Sequence, residues 1–201
     1  MSFSSNANDI FDRTVADYHK TDSIDVPVPA PFAAGSVEAI LYAKCWVDAA
    51  QWHMEDLIRV PDLDPAEGMN LKRRIDRSNQ VRTDMVEDID SWFRDKYKDV
   101  TALPDATVNT ESPAWAIDRL SILALKIWHM REQAERVDAD AAHRALAAGK
   151  LEVLLEQRRD LSAAIDALLD DIAAGRKYMK VYRQMKLYND PSTNPELYKR
   201  K

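Results

Sequence analysis

Apolar residues recur at helical spacing over most of this chain, and the pattern is densest from Ile117 to Arg136. Ile117, Leu120, Ile122, Leu123, Leu125, Ile127, Trp128 and Met130 leave that stretch apolar on almost every side. A helix apolar all round belongs in the middle of a bundle. One of its stripes nevertheless reads Asp118, Ile122, Leu125, His129, Glu132, Arg136, at alternating spacings of four and three. Residues so spaced lie one above another on a helix. An acid, an imidazole, a second acid and a guanidinium therefore share a stripe on an element that reads as buried.

The same periodicity places the other elements. Ile10, Phe11, Thr14, Val15 and Tyr18 predict a short amphipathic helix within residues 8–19, capped by Asn8 or Asp9. Pro27, Pro29 and Pro31 then alternate with apolar residues, which predicts an extended strap on the bundle surface or an arm crossing to another subunit. Ser36 caps a long helix from Val37 to Val60, stopped by Pro61. Pro65 opens a second, to about Lys98, whose core stripe of Leu71, Ile75, Met85, Ile89 and Phe93 includes Arg82. Polar residues and Pro104 make 99–112 a loop, and Ser112-Pro113 opens the central helix. A fourth helix runs from near Asp138 to Ala174 with His143, Ala147, Lys150, Leu154, Gln157, Leu161, Ile165, Leu168 and Ile172 inward. Gly175 caps it, and a last basic helix is expected from Arg176 to about Leu187, followed by a proline-broken tail. The expectation is an all-α single domain: an antiparallel bundle of four long helices over 36–174. A short N-terminal helix and proline-rich strap (1–35) and a basic C-terminal helix and tail (175–201) pack on it.

Composition narrows the picture. Only four glycines occur in 201 residues, against a turn-rich β fold. No apolar run approaches the roughly 20 residues that span a bilayer. The first residues lack a basic segment followed by an apolar one, so no secretory signal is read, and a cytoplasmic protein with no membrane association is expected. A single cysteine, Cys45, rules out an internal disulfide and reads as a small core residue. The net charge of −6 argues against general nucleic-acid binding. Residues 175–201 carry +6, so an acidic body of −12 bears a basic tail. Plentiful Trp, Tyr and Met, with a strap able to swap, favour a homodimer.

No phosphate loop, dinucleotide fingerprint, zinc-protease helix or nucleophile elbow occurs. The chemistry must lie in polar groups on inward stripes, which cost a few kcal/mol each if buried unpaired. A salt-bridge network that fixes helix register is one reading. Such networks are a poor source of stability, which points also to function. Glu55, Asp56, Glu87, Asp90, Asp118 and Glu132 are candidate ligands for magnesium or manganese. Asn79, Arg82, Arg119, Lys126, Arg136, Lys150, Gln157, Tyr182 and Arg183 are candidates for holding a phosphorylated ligand. His53 and His129 are candidate proton-transfer groups. His129-x-x-Glu132 reverses the order of a di-iron Glu-x-x-His pair, so a redox di-metal protein is the weaker alternative.

Several stretches resemble an uncharacterised bacterial family, domain of unknown function 4254. They are Trp52-His53-Met54-Glu55-Asp56-Leu57-Ile58-Arg59, the run Lys72 to Arg82, Glu87-Asp88-Ile89-Asp90, the run Ile117 to Met130, and the run Met179 to Pro191. The resemblance implies no established activity. It associates the chain with surface-polysaccharide gene clusters that include glycosyltransferases, which favours a nucleotide-sugar or glycan-linked role. The expected function is a metal-assisted hydrolase or transferase acting on a phosphorylated small molecule. The alternative is a non-enzymatic interaction protein joining a partner such as a glycosyltransferase.

Overall fold

The computed structural model describes residues 2–183, 187 and 190–199 of the chain. It is mostly helical: α1 (Phe3–Tyr18), α2 (Val37–Leu57), α3 (Pro65–Lys96), α4 (Pro113–Glu135), α5 (Ala141–Ala173) and the short α6 (Pro195–Tyr198). Strands β1 (Thr107–Val108) and β2 (Lys177–Tyr178) form one small parallel pair.

The helix starts follow local chemistry. Ser36 accepts from Ala39 N–H, Asp64 from Ala66 and Glu67 N–H, and Asp140 from His143 N–H. Each satisfies amides that have no partner inside the first turn. Ser2 does the same for α1, which therefore begins five residues before the expected Asn8.

α1 is a core element rather than an appendage. Ala7, Ile10, Phe11, Val15 and Tyr18 are buried against Leu41, Tyr42, Cys45 and Trp46 of α2, Phe93 of α3 and Ile117, Leu120 and Leu125 of α4. At roughly 1.5–3 kcal/mol per large buried apolar side chain, this face holds α1 firmly. Polar contacts clamp its outer side to α5. Asp166 accepts from Ser4 N–H (3.0 Å) and Ser4 Oγ (2.6 Å), and Arg158 grips Asp12 with both terminal nitrogens. The strap lies on its own chain. Val26 and Phe32 pack on the core, Val26 O accepts from Trp46 Nε1, and Arg74 reaches Ile24 O and Asp25.

Two expectations fail. The first is the basic helix from Arg176. Residues 177–178 are instead a strand, and 179–183 are non-helical; 184–186 lie outside the described residues. Gly175, at φ 71°, turns the chain against the 99–112 loop, where Leu103 N–H donates to Gly175 O and Thr107 N–H to Arg176 O. The loop's amides need partners, and no capping side chain follows Gly175 to start a new helix. The second is the inward polar half of α5. Of its five buried residues only Ala147 lies in the first half, and His143, Lys150 and Gln157 are exposed. Ile165, Leu168 and Ile172 are buried as expected.

Candidate functional site

The inward polar groups divide into distinct places. At the centre is a closed ion-pair network. Lys44 and Asp48 of α2 have fully buried side chains, and Lys44 bridges Asp48 and Asp118 of α4. Arg82 of α3 donates through Nε to Asp48 and through an Nη to Asp118 (3.3 Å). Ser121 Oγ donates to Asp48 at 2.6 Å. Burial works against the Arg82 charge, but Asp48 and Asp118 outweigh it and hold the guanidinium protonated. Two cations meet two carboxylates, so the network is balanced in charge.

A histidine cluster forms the second place. His19 follows the last residue of α1, His53 lies on α2 and His129 on α4. One ring nitrogen from each lies within 4.8 Å of the other two. His19 and His53 approach through their Nε2 atoms at 3.3 Å. The other side of two rings is engaged. His19 Nδ1 contacts Val15 O at 2.7 Å, and His129 Nδ1 contacts Glu132 Oε2 at 2.9 Å. A carbonyl and a carboxylate only accept, so both Nδ1 atoms carry a proton, and in the neutral ring each Nε2 is the atom with a lone pair. His129 Nε2 is buried without a hydrogen-bond partner among the described residues. Burial holds His53 below its ordinary pKa, which favours neutral imidazole.

Each ring is backed by an aromatic. Trp128 stacks on His19 (4.8 Å between centroids), Trp52 on His129 (5.0 Å) and Tyr18 on His53 (5.2 Å). Trp128 Nε1 also donates to Glu132 Oε1, which fixes the carboxylate behind His129. Asp22, at φ 48°, sets its carboxylate 3.5 Å from His53 Nε2.

Beside both lies a cleft of about 380 Å³ lined by Asp48, Gln51, Trp52, Glu55, Asp56, Arg59, Arg82 and Ile122. Trp52 thus belongs to the cleft and to the histidine cluster. Gln51 Nε2 donates to Asn79 Oδ1 (2.8 Å), and Gln51 Oε1 is buried without a donor among the described residues. Arg82 spends two of its nitrogens on Asp48 and Asp118.

The remaining expected site residues lie elsewhere. Arg119, Lys126 and Gln157 line an open hollow between α4 and α5, and Arg119 pairs with Glu111. Lys150 borders an apolar groove farther along α5. Arg136 pairs with Asp138 beyond the end of α4. Tyr182 lines a hollow of about 320 Å³ with Asp90, Trp115 and Lys180. There Asp90 accepts from Ser112 Oγ (2.7 Å), and burial raises its pKa. Arg183 is exposed, 4.0 Å from Glu87. Glu55, Asp56, Glu87, Asp90, Asp118 and Glu132 do not share a point. Among the described residues, the histidine trio is the one group of three or more such side chains close enough to share an ion. The residues that pattern did not single out include His19, Lys44, Gln51 and Ser121. His19 sits just past a helix end, and Lys44 and Ser121 read as ordinary helix positions.

Fold and site together define a mostly helical protein with an internally paired charge network and a histidine cluster sharing one wall with a polar cleft. Residues 38–181 match the family model described as "Protein of unknown function (DUF4254)", and the chain belongs to that family. His53 and His129 fall inside this range, and His19 precedes it. No curated protein and no solved structure matches the chain.

Proposed function

We propose that this protein is an enzyme for a phosphorylated small molecule, a nucleotide or nucleotide-sugar, held in the cleft lined by Gln51, Trp52 and Arg82. The observation that carries the reading is the cleft's unspent hydrogen-bonding capacity. Gln51 Oε1 is a buried acceptor with no donor among the described residues. Arg82 is pinned by two carboxylates on Nε and Nη2. Its remaining Nη1 suits a phosphate oxygen, and Arg59 at the rim supplies a second cation. Trp52 offers a flat face for a base, and a ribose or sugar hydroxyl would donate to Gln51. Glu55 and Asp56 supply the oxygen ligands that a magnesium or manganese ion carried by the phosphate requires. Proton transfer during hydrolysis or group transfer would be drawn from the histidine cluster across Trp52.

The test is binding in the presence of magnesium. A nucleoside diphosphate or its sugar conjugate raises the melting temperature of the wild type. Gln51→Ala weakens binding by up to about 10-fold, the scale of one neutral hydrogen bond, and Arg59→Ala by about 10-fold or more, the scale of one to a charged group. A flat response across such a panel ends the reading.

An association role is supported by a separate observation. Met130, Leu146, Val153 and Leu154 line an apolar groove of about 460 Å³, with Leu146 61% and Val153 53% exposed. Exposed apolar patches of this kind mark interaction faces. A second copy of the chain is the occupant we favour. Light scattering should give twice the chain mass, falling to one chain in Leu146→Glu.

A further inference from the structure

We infer that His19, His53 and His129 form a binding site for a late first-row divalent cation of the zinc class. The distances suit such an ion. Zinc binds imidazole nitrogen at about 2.0–2.1 Å, which puts two tetrahedral ligands roughly 3.3 Å apart. His19 Nε2 and His53 Nε2 are already 3.3 Å apart. His129 offers a third nitrogen within 4.8 Å of the nitrogens of the other two rings.

Protonation and support fit as well. A metal-binding histidine donates its second nitrogen to a carbonyl or carboxylate, which fixes the tautomer and raises ligand basicity. His19 does this through Val15 O and His129 through Glu132. His129 Nε2 is then a bare lone pair, buried and unpartnered among the described residues, which is costly unless something occupies the point it faces. His53 completes the set when its proton sits on Nδ1, which frees Nε2 for the ion. The three stacked aromatics lock the ring planes. A site whose first ligands are held by a second layer is the arrangement that binding requires.

Donor type sets the metal. Imidazole suits zinc, cobalt, nickel and copper, whereas magnesium prefers an all-oxygen shell. Three protein ligands leave a fourth position for water or substrate, as in catalytic rather than structural zinc sites, and with the ion bound that water, not an imidazole, would be the cluster's proton-transfer group. Asp22, 59% exposed and 3.5 Å from His53 Nε2, borders that position and balances charge. The site does not depend on a phosphorylated ligand in the neighbouring cleft.

The experiment uses the full chain, stripped with chelator, and titrates zinc or cobalt alone with no nucleotide present. The wild type should bind one equivalent and give cobalt the intense visible absorption of a tetrahedral site, with excess magnesium failing to displace it. His19→Gln and His129→Gln should lower affinity at least 100-fold, and Glu132→Gln 10- to 100-fold, the scale of a lost outer-shell partner. No saturable binding in the wild type, or affinity unchanged by the histidine substitutions, overturns the assignment. If the histidine variants do not fold, Glu132→Gln decides alone: a 10- to 100-fold loss supports the site and an unchanged affinity refutes it. A silent nucleotide panel would leave this titration untouched, so the two readings fail separately.

Discussion

Two polar clusters stand close together on α2 and α4, and they are built on opposite terms. Lys44, Asp48, Arg82, Asp118 and Ser121 satisfy one another. The histidine cluster instead satisfies the outer nitrogens of His19 and His129 and leaves His129 Nε2 without a partner among the described residues. Burial raises the cost of an unmet polar group, so the first cluster reads as architecture and the second as a place for something bound. Density of polar residues on inward stripes is common to both and does not separate them. What separates them is the balance of donors and acceptors.

Breaking one member of each cluster sharpens the contrast. Lys44→Ala leaves Asp48 and Asp118 to share Arg82 as their remaining cation in this network, and loss of one partner of a buried pair costs about 3–5 kcal/mol. Urea unfolding should show that loss with the unfolding slope unchanged. In the histidine cluster the effect on stability should be far smaller. His129→Leu removes the orphaned nitrogen together with its polar neighbour's bond, so stability stays within about 1 kcal/mol of wild type while cobalt binding disappears. A loss as large as that of Lys44→Ala would make the trio a structural network after all.

The smallest effect belongs to the polar clamp between α1 and α5. Burial would raise the Asp166 carboxyl, but hydrogen bonds from Ser4 and Ser2 outweigh it and hold the pKa below the ordinary value. A carboxylate depressed in the folded state adds stability above its unfolded pKa and loses it as pH falls through the folded one. Asp166→Asn should therefore be slightly less stable at neutral pH and show a flatter acid dependence below about pH 4, read by thermal melts across that window.

Much of the architecture was legible because helices announce themselves locally. Ser36, Pro65, Ser112-Pro113 and Gly175 mark boundaries that stand within a few residues of those observed. The site was legible only in pieces. Spacing within a helix tells which residues share a stripe, and it brought out Arg82, Asp118, His53, His129 and Glu132. It cannot tell which stripes of different helices meet. His19 joins His53 across 34 residues of chain, with a helix end and the proline strap between them. Lys44 lies one turn before Asp48, and such a pair reads as a surface contact until Asp118 closes on it. The basic segment after Gly175 carries apolar residues at helical spacing, but the amides of the 99–112 loop claimed its backbone first.

Cys45 has a consequence of its own. Its thiol lies under α1, 3.9 Å from Phe11 O, fully buried and pushed up to about 12 by that burial. A thiol reagent reaches it only when α1 lifts from α2, and the reactive form is the thiolate. The single cysteine of the chain is thus a built-in clock for that opening. Its labelling rate measures how often the helix that carries His19 into place lets go, without any probe being added to the protein.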